Sequence, residues 1–343
     1  MAIIYFFSER IYSFPTQDDE SVGFQALHFH KMNRFWLRGD LAATDAFTKT
    51  SPPNSKYIDR KIQTFMMLGG EIMGSGRWGG RANIKSTWLQ HKGKEDTAPK
   101  SPKNRKLTKI MPSLHMTYIT PKDLEVFFGI QGLSLADESI TIDSPVATSN
   151  ISYESFSLFS YSIGFMKRGN RWNGGIYYDF GSSGSRSYTQ KSSDGSTRSG
   201  KSEVIIPSKY GVVADFPISN NIVEFDVASI HAGEGGERTA SGGTVRDDYL
   251  RVMIACLLPL DSSWGLKFSF AHQTLSYSDN AYANIESIPI NSLRILGILG
   301  DQDYHKFIGL ILAQGEDGTD ITEYKARFSL GAVALTFGLF HPI

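Results

Sequence analysis

One stretch of the chain spells a phosphate-binding pattern letter for letter. Gly195 to Ser202 reads G-x-x-x-x-G-K-S, the loop whose amides cradle phosphates when a buried strand precedes it and a helix follows. Neither neighbour is present. Tyr188 to Asp194 are polar, and Glu203 to Pro207 alternate like a strand and end on proline. Gly74, Gly76 and Gly79 fit G-x-G-x-x-G but have no strand–helix–strand unit around them, so they predict a turn. His28 and His30 stand two apart without a third ligand, and no metal site is expected. A hydrolase would need a serine beside one of His115, His231 and His272, and no nucleophile is marked near them. The single Cys256 excludes an internal disulfide and any multi-thiolate centre. No cofactor is implied.

The elements that would have to position chemistry are all of one kind. In 343 residues the 35 Lys and Arg balance the 35 Asp and Glu, which argues against a nucleic-acid surface. No run of about 18 apolar residues exists, so no spanning helix is expected. The chain holds 33 Gly and 12% aromatics, and from Arg34 onward it alternates with period two. Leu250, Val252, Ile254, Cys256 and Leu258 share one phase; Tyr249, Arg251, Met253 and Ala255 share the other. About fourteen such segments follow one another, most of them longer than the usual 5–6 residue strand. Their connections alternate. Short ones carry turn residues, as at Pro121-Lys122-Asp123 and Arg168-Gly169-Asn170. Long ones are polar: 46–59, 93–106, 135–150, 182–202, 233–246, 278–287 and 315–322.

This rhythm, with a last strand from Glu323 to Phe340 that alternates up to an aromatic, resembles the Gram-negative outer-membrane β-barrel proteins. The size class is that of small porins and of the long-chain fatty-acid transporter family. The resemblance implies an all-β, antiparallel, up-and-down transmembrane barrel over 34–343, with short periplasmic turns, long extracellular loops and a location in the bacterial outer membrane. It implies contact with outer-membrane lipid and lipopolysaccharide, and with the barrel assembly machinery. Residues 1–33 are expected to form an N-terminal periplasmic extension or plug. Met1 to Phe7 are apolar but lack a basic leader and a cleavage site, so no signal peptide is visible in this numbering.

If the apolar phase faces lipid, the other phase faces the lumen, and its charges segregate. One wall is basic: Arg34, Arg38, Arg81, Lys85, Lys109, Arg251, Lys267, Arg294 and Arg327. The facing wall is acidic: Glu125, Glu154, Asp179, Asp215, Glu224 and Asp226. Opposed walls would hold a field across a wet pore for small polar solutes. Alternatively the charges pair and close the lumen. The lumen phase also carries Trp36, Phe65, Met67, Phe127, Phe156, Leu158, Val333, Leu335 and Phe337. These suit a plug, or a passage for hydrophobic compounds gated by the N-terminal segment. Phe35, Trp88, Tyr118, Tyr153, Tyr161, Trp172 and Trp264 are expected in lipid-facing girdles. An adhesin or hydrolase is the reading from a different class.

Overall fold

The structure, a computed structural model, describes residues 33–51, 55–74, 77–95, 103–143, 148–168, 172–206, 208–218, 221–231, 245–260, 264–279, 288–300, 305–321 and 324–342. The expected N-terminal extension therefore lies outside the described residues, apart from Asn33. Every described regular element is a strand. The first eight are β1 (Arg34–Ser51), β2 (Ser55–Met73), β3 (Trp78–Glu95), β4 (Lys103–Ile119), β5 (Leu124–Leu135), β6 (Glu138–Asp143), β7 (Thr148–Tyr153) and β8 (Phe156–Arg168). Next come β9 (Asn173–Asp179), β10 (Ser182–Ser192), β11 (Thr197–Ile206), β12 (Ser208–Ile218) and β13 (Asn221–His231). The last are β14 (Val245–Pro259), β15 (Trp264–Asp279), β16 (Ile288–Gly300), β17 (His305–Ile321) and β18 (Tyr324–Pro342).

Neighbours pair antiparallel all the way round, and the ring closes where β18 pairs β1 from Arg34↔Pro342 to Ser51↔Lys325. Closure leaves the sheet with no free first or last strand, the condition for spanning a bilayer with strands. Four adjacent staves are each made of two strands in line: β5 with β6, β7 with β8, β9 with β10, and β11 with β12. Counted this way the described strands form a ring of fourteen staves.

The outer face is apolar. Leu41, Ile62, Leu68, Ile84, Leu114, Phe128 and Ile176 are all exposed. A belt of this kind is foreign to a water-soluble monomer and normal for a surface that meets lipid. On β3, Trp78 and Trp88 both point out, ten residues apart. At about 3.3 Å per residue and a tilt near 40° that is about 25 Å of height, the depth of the lipid-facing band. Trp78 leans on Tyr118 at 4.7 Å and Phe35 stacks on His341 at 5.2 Å, placing aromatics at the short-turn end.

Three expectations need correction. The long polar segments are only partly loops. The strands run through most of 46–59 and 315–322 and half of 93–106, and 182–202 is the hairpin β10–β11. Continuing the ladder satisfies each amide and carbonyl even where side chains are polar, so composition hides the strand. Tyr153 is not a girdle residue: it lies under the Arg186 guanidinium, 5.0 Å from the ring centre. Leu335 and Phe337 face outward, exposed, while Ala334 and Thr336 are buried on the inner face. The two phases of β18 are almost equally apolar, so alternation could not orient it.

Candidate functional site

The inner wall can be read as rows, because residues paired across neighbouring strands lie side by side on one face. One row runs Glu71↔Arg81↔His115↔Gly129↔Ser162↔Asp179↔Lys209 across seven staves. Toward the long-loop end the next row is Asn83↔Ser113↔Gln131↔Ser160, uncharged and hydrogen-bonding throughout. Toward the short turns lies Thr117↔Phe127↔Gly164↔Tyr177↔Gly211. Here glycine has a specific use. A Cβ on Gly164 would lie 2.2 Å from the Phe127 ring, and one on Gly211 would lie 2.5 Å from Tyr177. Both rings lie flat on the neighbouring strand instead of crossing the lumen. Phe127 and Tyr177 cluster there with Met166, Val213, Met253 and Ala271.

The basic wall is already partly neutralised. Arg38 grips Asp40 with two bonds, Nε–Oδ1 at 3.1 Å and Nη2–Oδ2 at 2.8 Å. Arg81 pairs with Glu71 at 3.1 Å. Phe65, almost fully buried, has Lys85 Nζ at 4.7 Å and the Arg38 guanidinium at 5.6 Å from its centroid. Cations over a desolvated ring are stabilised by its negative face. Two hydroxyls fare differently: Ser113 Oγ and Ser162 Oγ are buried and find no hydrogen-bond partner among the described residues. Such a group costs about 1–3 kcal/mol of stability.

The wall itself has a defect. The in-line breaks at Ala136-Asp137, Glu154-Ser155 and Phe180-Gly181, and the one between β11 and β12, lie in adjacent staves. At each, the inward phase shifts by one residue: Leu133 and Leu135 are buried before the first break, Glu138 and Ile140 after it. Between the second and third of these staves the ladder stops. Phe180 N–H donates to Tyr161 O at 2.7 Å, and the next cross-strand bond is Glu154 N–H to Ser187 O at 3.1 Å. Residues 155–160 and 181–186 face each other with no strand pairing between them. The gap sits beside Phe159 and Phe180, both exposed on the apolar outer face. The Phe156 ring closes over Gly184, where a Cβ would be 2.5 Å from it. Arg186 caps the outer end. Its Nη1 pairs with Glu138 Oε2 at 2.8 Å, Nη2 donates to Ala136 O at 2.6 Å, and Nε donates to Glu154 O at 2.6 Å.

Of the basic residues expected in the lumen, Arg38, Arg81, Lys85 and Arg251 are buried on the inner face, and Lys109, Lys267 and Arg294 are half-buried. The side chains of Arg34 and Arg327 lie outside the described set. Among the acids, Glu125 and Asp179 are buried inside. Glu154 is exposed at a stave break and lends Arg186 its carbonyl rather than its carboxylate. The side chains of Asp215, Glu224 and Asp226 are outside the described set. Arg186 and Glu138 were missed because they sit in two segments expected to be long loops, 182–202, rich in Ser and Gly, and 135–150. His272 bonds Asn291 Oδ1 at 2.8 Å through Nδ1, and its register neighbours are Val252 and Asn291, so no serine adjoins it there.

A closed strand ring with an apolar exterior and a polar, partly apolar interior is the fold of the outer-membrane β-barrel proteins. No family model and no curated protein matches the chain. Solved structures do. A deletion mutant of the TodX monoaromatic hydrocarbon channel superposes with a TM-score of 0.66 at 10% identity over 93% of this chain and 92% of that one. A Pseudomonas aeruginosa FadL homologue gives 0.64 at 8% identity over 96% and 94%. The Pseudomonas putida toluene transporter TodX gives 0.61 at 9% over 94% and 93%. At such identities the likeness establishes the fold.

Proposed function

We propose that the chain is an outer-membrane channel for hydrophobic compounds rather than a pore for small polar solutes. The observation that carries this is the gap between β8 and β10. It opens the wall beside the apolar belt, and its inner lip is Phe156 and Leu158. A solute that prefers hydrocarbon to water can leave the lumen sideways through such an opening, whereas a polar solute gains nothing from it. Three further features favour this reading. Arg38 and Arg81 are paired with acids on their own wall, which weakens a transverse field. The apolar cluster around Phe127 lies inside the ring. The solved structures with the same fold include a named hydrocarbon channel and a toluene transporter.

The test compares two solutes in bacterial cells with and without the chain in the outer membrane. Labelled toluene should enter several-fold faster with the chain, while arabinose permeation should stay at the level of the empty cells. Faster arabinose entry with unchanged toluene entry would return the polar-pore reading.

A further inference from the structure

The outside of the ring carries a charge pattern that a solute passage does not explain. Outward positions on β1–β4 follow the phase of Leu41, Ile62, Ile84 and Leu114, all exposed. From the short turns up to the row of Trp88 none of these positions is charged; they include Phe35, Leu68, Ile72, Trp78 and Met116. Beyond that row the same phase holds Lys49, Lys56, Arg60, Lys92, Lys94 and Lys106, against one acid, Asp45. The acids Asp59 and Glu95 of the same stretch fall in the inner phase. The register sets cations side by side. Arg60 is opposite Lys92, and Lys49 is opposite Lys56. Lys106 is opposite Gln90, diagonal to Lys92, and both Gln90 and Lys106 are exposed. Like charges directly opposite each other on a sheet destabilise it. An anion seated between them reverses the sign, so the arrangement points to a partner that brings negative charge.

The height of the cations identifies that partner. Lys92 lies four residues beyond Trp88, about 10 Å further from the bilayer centre at a rise of about 3.3 Å per residue and a tilt near 40°. That level is the headgroup layer, outside the hydrocarbon and on the side opposite the short turns. On the outer side of a bacterial outer membrane the headgroup is that of lipopolysaccharide, a sugar whose phosphates sit close to its acyl chains. The row that starts at Lys106 continues through Ser139, Ser152, Thr189 and Ser199, hydroxyls with no charge among them. Such a continuation suits sugar beside phosphate. We propose that the outward cations of β1–β4 beyond Trp88, centred on Arg60, Lys92 and Lys106, form a docking surface for the phosphorylated headgroup of lipopolysaccharide. The surface lies outside the ring and stands apart from the choice of solute inside it.

The test measures binding of diphosphoryl lipid A, monophosphoryl lipid A and phosphatidylglycerol to the full chain folded in detergent micelles. Diphosphoryl lipid A should bind most tightly, and its affinity should fall as salt is raised. A cation near an anionic lipid surface contributes about fivefold in affinity, so the triple variant Arg60→Gln, Lys92→Gln, Lys106→Gln should bind it about 100-fold more weakly. The charge-keeping set Arg60→Lys, Lys92→Arg, Lys106→Arg should bind as the unaltered chain does. Lys122→Gln, at a short turn, should change nothing. Equal binding of lipid A and phosphatidylglycerol to the unaltered chain would overturn the proposal, and so would full affinity in a folded triple variant. If the triple variant lacks heat-modifiable gel mobility, the salt series on the unaltered chain decides: affinity that does not respond to salt overturns the charged surface. Displacement of lipid A by a short DNA duplex at equal concentration would make the patch a general polyanion site and overturn the assignment to lipopolysaccharide.

Discussion

At the scale of single residues, Arg186 does the most unusual work in the molecule. Its guanidinium replaces ladder bonds that three staves lose at their breaks, giving one bond to a carboxylate and two to main-chain carbonyls. The planar fork of arginine suits this, and lysine could not reach three acceptors in one plane. Because the cluster is buried, removing one partner exposes the rest to an unpaired state. Arg186→Ala should lower the unfolding free energy by about 3–5 kcal/mol, read from urea unfolding in lipid or from lost heat-modifiable gel mobility. Glu138→Gln should cost less, since Gln still accepts a hydrogen bond and both carbonyl bonds remain. Equal losses would show that the ion pair, not the stapling of carbonyls, carries the cluster. The sequence offered little sign of this. Arg186 is one charge in a run of serines and glycines, and its partners lie 32 to 50 residues away.

At the scale of elements, strands that face lipid on one side only are legible, and strands that break or are apolar on both sides are not. β14 was readable because Leu250, Ile254 and their phase-mates oppose Arg251 and Ala255. The paired staves were not, because each break moves the inward phase by one residue and a fixed period of two cannot follow it. Packing within the readable strands makes its own demand. Phe127 lies across Gly164, and Tyr177 across Gly211. Gly164→Val would place a branched side chain where the Phe127 ring now rests. The ring must swing toward the lumen, with a loss of about 1–3 kcal/mol from overpacking. Unfolding in lipid should show that loss, and toluene entry should slow as the ring obstructs the passage. Unchanged flux in a folded variant would place the solute path away from Phe127.

At the scale of the whole molecule, the neutral net charge and modest composition come from averaging two surfaces with opposite solvents. The outer face is built for hydrocarbon and the inner face for polar groups, and each strand alternates between them. The depth of the hydrocarbon band then becomes a measurable property of one strand. On β3 the exposed positions are Trp78, Ala82, Ile84, Trp88 and Gln90. Ile84 lies between the two tryptophans, near the middle of the band they bracket, and Gln90 lies beyond the upper one. A charge is costly in the hydrocarbon and cheap at the interface. Ile84→Arg should therefore lower folding free energy in lipid by about 2–4 kcal/mol, and Gln90→Arg by about 0–1 kcal/mol. Refolding equilibria of both variants into vesicles, with tryptophan fluorescence reporting insertion, provide the comparison. If the two arginines cost the same, the band is not where Trp78 and Trp88 place it. If neither costs anything, the apolar exterior of the ring does not meet lipid, and the gap beside it would then open onto water. The same pair of variants thus tests both the membrane seat and the sideways exit, because an exit for hydrophobic compounds requires hydrocarbon outside the wall at the level of Phe159.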